Sequence, residues 1–280
     1  MLKIGNLQLT SPLMLAPLAG ISDLSFRLLN RSFGCGFAFT EMISAKALVL
    51  GNKNTADMAV TTAEDAPLGI QLLSDDPELI RRSIDILKPT LVDINAACPV
   101  SKVVKRGEGA SLMKNTTKLT KLLKAAVESS IAPVTVKIRS GWDETTVKAR
   151  DTALYAQEAG ISGLFIHGRT KEQGYGGIVD YDVIRKVKKA LTIPLIASGD
   201  ALSPQLIKKL FEETGCDGVT IARGALGNPW IFKETSEFMT SGNLSPRPDA
   251  TEIADTMLRH LRLCIFLNGE KIGTLIFRKF

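Results

Sequence analysis

Short, predominantly apolar runs recur along the chain at positions 12–17, 37–42, 68–73, 91–95, 134–138, 163–167, 194–198 and 218–222. Between most of them, apolar residues return every three or four positions, which predicts amphipathic helices over 76–88, 116–130, 146–160, 181–191 and 203–214. The stretch from 42 to 67 is less regular. Strands that read as continuous apolar runs are buried on both faces, and helices inserted between them make the sheet parallel. Eight such strands over about 220 residues favour a closed (β/α)8 barrel of the TIM type. A doubly wound open sheet is the alternative.

The flanks complete the picture. Residues 2–10 read as a hairpin turning at Gly5-Asn6, and Ser22-Asp23 is a helix start. The repeating pattern fades near Phe238, and 240–250 is rich in turn residues and reads as a linker. A helix from Thr251 to Phe266 follows, carrying Arg259 and Arg262. The expected division is therefore a barrel domain over 1–240 and, over 241–280, a linker with the start of a helical domain. So few residues cannot build a core alone, so this last piece either packs on the barrel or begins something larger.

Composition narrows the class. Hydrophobic residues at 45% and charged residues at 23% are ordinary for a soluble globular chain of 280 residues. A net charge of +6 leans toward an anionic partner, nucleic acid first. The four cysteines, Cys35, Cys98, Cys216 and Cys264, form no close pair, and two histidines make a zinc site an unpromising reading, so no metal is expected. That usage fits a reducing compartment. With no signal-like N-terminus and no run of membrane-spanning length, a cytoplasmic protein that does not engage a membrane is expected.

The chemistry concentrates between Asp93 and Met113. A strand breaks at Cys98-Pro99, with Asn95 three residues before the thiol and Lys102, Lys105 and Arg106 shortly after it. Pro99 disfavours helical geometry at Cys98, so the thiol sits at a strand end rather than inside a regular element. Two readings stand here: a reactive thiol beside a cationic loop, or a cysteine packed as a small hydrophobe. The other strand ends deliver Pro17 and Ala19, Gln71, Lys137 with Arg139, His167 with Arg169, Ser198-Gly199-Asp200 and Arg223-Gly224. In a barrel these all fall on one rim, where active sites form. Glycine-bearing turns after the seventh and eighth strands suit a phosphate, although such turns also simply end strands.

Taken together, these segments resemble the tRNA-dihydrouridine synthases, in their bacterial B-type branch. The likeness rests on Met14 to Gly20, Phe39-Thr-Glu-Met42, Asp93-Ile-Asn95, Cys98-Pro99, Gly109 to Met113, Val136 to Trp142, Ile166 to Thr170 and Ala222 to Phe232, nearly the whole chain. It implies an FMN enzyme that reduces the C5=C6 bond of a uridine in tRNA, with NADPH as electron donor, acting as a monomer. Carried over by position, Pro17, Ala19, Gln71, Lys137, His167, Gly199, Asp200, Arg223 and Gly224 are the flavin contacts. Asn95, Lys137, Arg139, His167 and Arg169 surround the uracil, Lys102, Lys105 and Arg106 hold the RNA backbone, and Cys98 is the general acid. The base must leave its stack to be reached.

Three departures from the family pattern carry expectations. Ala96-Ala97 stand where a glycine usually precedes the cysteine, which strains the loop if that position needs positive φ. Ser198 replaces a common asparagine and weakens one flavin contact. The family's tRNA-gripping helical domain continues well past the Phe277-Arg278-Lys279 motif, whereas this sequence stops at Phe280, a shortened form. Two other readings are an FMN oxidoreductase acting on a small pyrimidine or enone, and a tRNA-binding protein without turnover. The basic residues after Cys98 argue against the first, and the retained Asn95, Cys98, Lys137 and His167 against the second.

Overall fold

A computed structural model describes residues 1–280. Eight parallel strands close on themselves: β3 (Leu13–Leu15), β4 (Phe37–Ser44), β5 (Leu68–Leu73), β6 (Leu91–Asn95), β7 (Val134–Arg139), β8 (Gly163–His167), β9 (Leu195–Ser198) and β10 (Gly218–Ile221). Closure is decided at one seam, where β10 pairs with β9 on one side and with β3 on the other. That excludes the open doubly wound sheet. Each strand hands over to the next through helical segments, which pack a large apolar layer around the outside of the barrel.

Inside the barrel the side chains change character with height. An antiparallel hairpin, β1 (Leu2–Ile4) with β2 (Leu7–Leu9), plugs the bottom, where Leu2, Ile4 and Leu9 meet Met14, Phe37, Phe39, Leu91, Phe165 and Ile196. One pleat higher the row turns polar: Gln71, Asp93 and Thr135 stand side by side in register on β5, β6 and β7. Because side chains alternate along a strand, Leu91, Asp93 and Asn95 all face inward at successive heights. The floor of the mouth is thus polar while its foundation is dry.

Several elements depart from the sequence pattern. β4 runs to Ser44 because its register against β5 shifts between Phe39 and Met42, so Thr40 and Glu41 form an irregularity that the apolar pattern does not mark. The helix expected over 146–160 begins only at Ala149, after a short turn at Glu144–Thr146 capped by Asp143. The irregular stretch holds two short helices, Ala45–Val49 and Lys53–Asp57. The last helix spans Ala250–Phe277 but breaks at Gly269, whose φ of 75° and ψ of 163° are not helical.

This terminal segment lies against the barrel's first helix, Leu24–Arg31. The His260 ring is buried among Phe26, Phe277 and Phe280, and Phe280 stacks on Phe26 at 4.8 Å. Trp230 donates its indole N–H to Glu252 at 2.6 Å. Arg27, wholly buried, pairs with Asp65 at 2.8 Å and bonds the carbonyls of Ser22 and Val60, tying that first helix to the loop before β5. No helix is long and apolar enough to cross a membrane.

Candidate active site

At the C-terminal mouth of the barrel a single hydrogen-bond chain rises from the polar row to the thiol. Asp93 accepts from the Thr135 hydroxyl at 2.7 Å and from Gln71 Nε2 at 2.6 Å. Gln71 Oε1 accepts from Asn95 Nδ2 at 2.7 Å, and Asn95 Oδ1 accepts the backbone N–H groups of Ala97 at 3.1 Å and Cys98 at 2.8 Å. Asn95 thus acts as an Asx-type turn former that bends the chain as it leaves β6. Neither Ala96 nor Ala97 has positive φ, so alanine in place of glycine before the cysteine introduces no strain.

Two contacts seat the loop that carries the thiol. Arg139 donates Nε to the Ala97 carbonyl at 2.7 Å, and Ala110 donates its N–H to the Cys98 carbonyl at 3.0 Å. Gly109 sits directly behind Cys98 with φ of 60°, and a Cβ there would come within 2.7 Å of the Cys98 carbonyl oxygen. Only glycine fits that approach. Burial pushes the Cys98 thiol up from its ordinary value, against the pull of Val100 backbone, Arg139, Lys137 and Arg106, so the sulfur keeps its proton at neutral pH.

Charge is arranged around this thiol with little freedom. Arg139 also bonds the carbonyls of Thr170 and Gly174 at 2.9 and 2.8 Å. Arg169 bonds those of Gly176 and Gly177 and clamps Asp200 through two N–H groups at 3.0 and 2.6 Å. Arg223 adds a third contact to Asp200 at 3.3 Å. Burial, opposed by the charge of Asp93, lowers Lys137 to about 8. His167 is pushed down to about 2, first by burial and then by Arg139, Lys137, Arg169 and Arg223, so its imidazole is neutral. Its Nδ1 stands 3.5 Å from Ser198 Oγ, which itself donates to the Ile166 carbonyl. The buried Nε2 has no partner.

These groups enclose a cavity of about 320 Å³, within the range of small-ligand sites. Of the sequence candidates, Pro17, Ala19, Gln71, Asn95, Cys98, Lys137, Arg139, His167, Gly199, Asp200 and Arg223 line it. Gly224 and Arg169 do not; both stand behind the wall, and a Cβ on Gly224 would run into the Ala201 carbonyl. Lys102, Lys105 and Arg106 are exposed outside the cavity, on and after the short helix Ser101–Val104, with Arg106 paired to Glu108 at 2.8 Å. Met42, a strand-end residue to which the sequence assigned no role, lines the cavity and its sulfur accepts from Asn95 at 2.9 Å. Sequence reasoning missed Tyr175, which lines the cavity with its ring 5.7 Å from the Arg139 guanidinium and 5.5 Å from that of Arg223. The glycine-flanked tyrosine in 173–177 was the available signal.

The profile of the family described as "Dihydrouridine synthase (Dus)" matches residues 14–280. The chain belongs to the dihydrouridine synthase family. It is 34% identical over 283 residues to a "Probable tRNA-dihydrouridine synthase" of Rickettsia conorii, covering 100% of this chain and 86% of that one. It is 36% identical over 281 residues to "tRNA-dihydrouridine synthase B" of Vibrio vulnificus, covering 99% of this chain and 87% of that one. Among solved structures, histamine dehydrogenase from Rhizobium sp. 4-9 superposes with a TM-score of 0.63 at 11% identity, over 94% of this chain and 50% of that one. An amine oxidase from Pseudomonas geniculata N1 gives 0.65 at 13% identity, over 84% and 48%. The chain spans about half the length of these two, and the likeness is one of fold, the barrel that family membership also entails.

Proposed function

We propose that this member of the family reduces the C5=C6 bond of one uridine in tRNA to 5,6-dihydrouridine, with FMN bound at the barrel mouth, NADPH as electron donor and Cys98 as the acid. The observation that carries the reading is a thiol kept protonated and seated by two backbone bonds to Asn95, in a cavity also lined by Lys137, Arg139 and Arg223. A general acid must hold its proton until the carbon beside it becomes basic, and burial secures that here.

The residues present fit a flavin mononucleotide. The unpartnered Nε2 of buried His167 is an acceptor awaiting an N–H or O–H. The turns at Gly199 and Gly224, with Arg223 beside them, follow the last two barrel strands, where this fold takes phosphate. Pro17, Ala19, Gln71, Lys137, His167, Gly199, Asp200 and Arg223 would hold the cofactor, with Gly224 shaping the turn behind Arg223 and the Lys137 ammonium toward the electron-rich end of its ring. When bound and reduced, FMN supplies the hydride for C6 of the uracil. Cys98 gives the proton to C5, so two hydrogens are added in all.

Asn95 acts beside the uracil by shaping the Cys98 loop, the neutral His167 lines the same cavity, and Arg139 and Arg169 act on the base through the 170–177 loop that they hold. Lys102, Lys105 and Arg106, outside the cavity, meet the phosphate backbone of a base drawn out of its stack. Such a substrate also explains the net charge of +6. The test is mass spectrometry of unmodified tRNA after incubation with the protein, FMN and NADPH. One uridine gains two hydrogens, and Cys98→Ala keeps its flavin but loses most of that gain. Full turnover in the variant would remove Cys98 as the acid; no gain with the unaltered protein would overturn the reading.

A further inference from the structure

Asp93 is 1% exposed, lines none of the cavity and touches no position where a ligand would lie, yet it begins the chain of hydrogen bonds that ends at the thiol. An ionised carboxylate can only accept. Facing Asp93, Gln71 must therefore present its NH2, which turns its oxygen toward Asn95. Asn95 must then give Gln71 its own NH2 and keep its oxygen for the N–H groups of Ala97 and Cys98. The far end demands the same polarity, since backbone amides only donate. Carboxamides rotated by half a turn cost little by themselves, so a chain of two of them is directed by its ends, the carboxylate below and the two backbone N–H groups above.

We propose that Asp93 is the positioning residue that, together with the backbone N–H groups of Ala97 and Cys98 at the other end, holds Gln71 and Asn95 in one orientation and thereby sets where the Cys98 thiol sits. It acts on the reaction only through these neighbours, and its effect on turnover rests on the function proposed above. Burial, opposed by hydrogen bonds from Gln71 and Thr135 and by the charge of Lys137, pushes Asp93 up to about 6. Of the groups facing it, Gln71 on β5 and Thr135 on β7 are uncharged, and Lys137 on β7 is the cation. On protonation Thr135 can turn its hydroxyl proton to the Val92 carbonyl at 3.2 Å and accept from Asp93, so the chain keeps its direction while Gln71 exchanges a charged acceptor for a neutral one and is held more weakly.

The test is nuclear magnetic resonance of the full chain as purified and labelled with nitrogen-15. The side-chain NH2 signals of Gln71 and Asn95 and the backbone N–H of Cys98 should move together with a single midpoint near pH 6. In Asp93→Asn that shared transition should vanish. Thr135→Val, which deletes one of the two bonds to the carboxylate, should move the midpoint up by about one pH unit, and it keeps the test decisive if Asp93→Asn does not fold. The acid limb of kcat for tRNA uridine should follow the same midpoints, with KM much less affected. Signals that do not move, or that move identically in Asp93→Asn, overturn the proposal. Because the resonance experiment needs no turnover, its failure is distinct from a failure to reduce tRNA.

Discussion

Gly109→Ala is the sharpest probe of how tightly the thiol is held. The new Cβ would lie 2.7 Å from the Cys98 carbonyl oxygen, 2.8 Å from a Val103 methyl and 3.1 Å from Cys98 Cβ. Ordinary contact begins at 3.4 Å, so the two backbone segments must part by about 0.7 Å, more than the roughly 0.5 Å within which a catalytic group must be held. Alanine at φ of 60° adds about 1 kcal/mol of backbone strain, and overpacking adds about 1–3 kcal/mol. For a chain of this size that corresponds to a fall in Tm of roughly 3–7 °C. Since misplacement by about 1 Å costs on the order of a hundredfold, kcat for tRNA uridine should drop at least tenfold while flavin content stays near that of the unaltered protein. Thermal unfolding and single-turnover formation of dihydrouridine read the two effects separately. A normal kcat in a protein with lowered Tm would show that the loop yields without moving the sulfur, and the argument for a fixed thiol would fail.

Lys137 titrates at about 8, so flavin affinity, followed by fluorescence quenching, should weaken as pH rises through that value, and Lys137→Met should bind weakly with no such slope. Arg139→Ala strands the carbonyls of Ala97, Thr170 and Gly174, and the loss of these charge-assisted bonds should cost about 3–5 kcal/mol in denaturant unfolding. Arg139→Lys should recover little of it, because a single ammonium cannot span the three sites. Asp93 is raised from 3.8 to about 6, so between these values the folded state binds more protons than the unfolded one and stability falls as pH rises. Asp93→Asn should therefore be more stable than the unaltered chain at pH 7 by up to about 3 kcal/mol, with the difference gone near pH 4; equal Tm values at both would count against the assigned burial cost.

Much of the barrel was legible because its strands are buried on both faces, which forces continuous apolar runs such as 91–95 and 163–167. What was not legible depends on partners far along the chain. The shift in β4 is set by how Phe39 and Met42 meet β5, and nothing local to Thr40-Glu41 announces it. The rim residues could be named from their strand ends, yet their bonding could not. Arg139 and Arg169 stood out as cations for a substrate, and the structure spends their N–H groups on backbone carbonyls and on Asp200. Asp93 read as one more residue of a strand; its role depends on Gln71, which lies 22 positions away in sequence.

The hydrogen bonds by which the two arginines hold the 170–177 loop all end on peptide oxygens, at Thr170, Gly174, Gly176 and Gly177. Every amino acid carries that handle, so none of these bonds depends on the side chain at position 175. Tyr175 at its tip can be exchanged in the course of evolution while the loop keeps its path. A fold built this way can change what it reads at the mouth of the barrel one residue at a time, without first surrendering the frame that holds the reader in place.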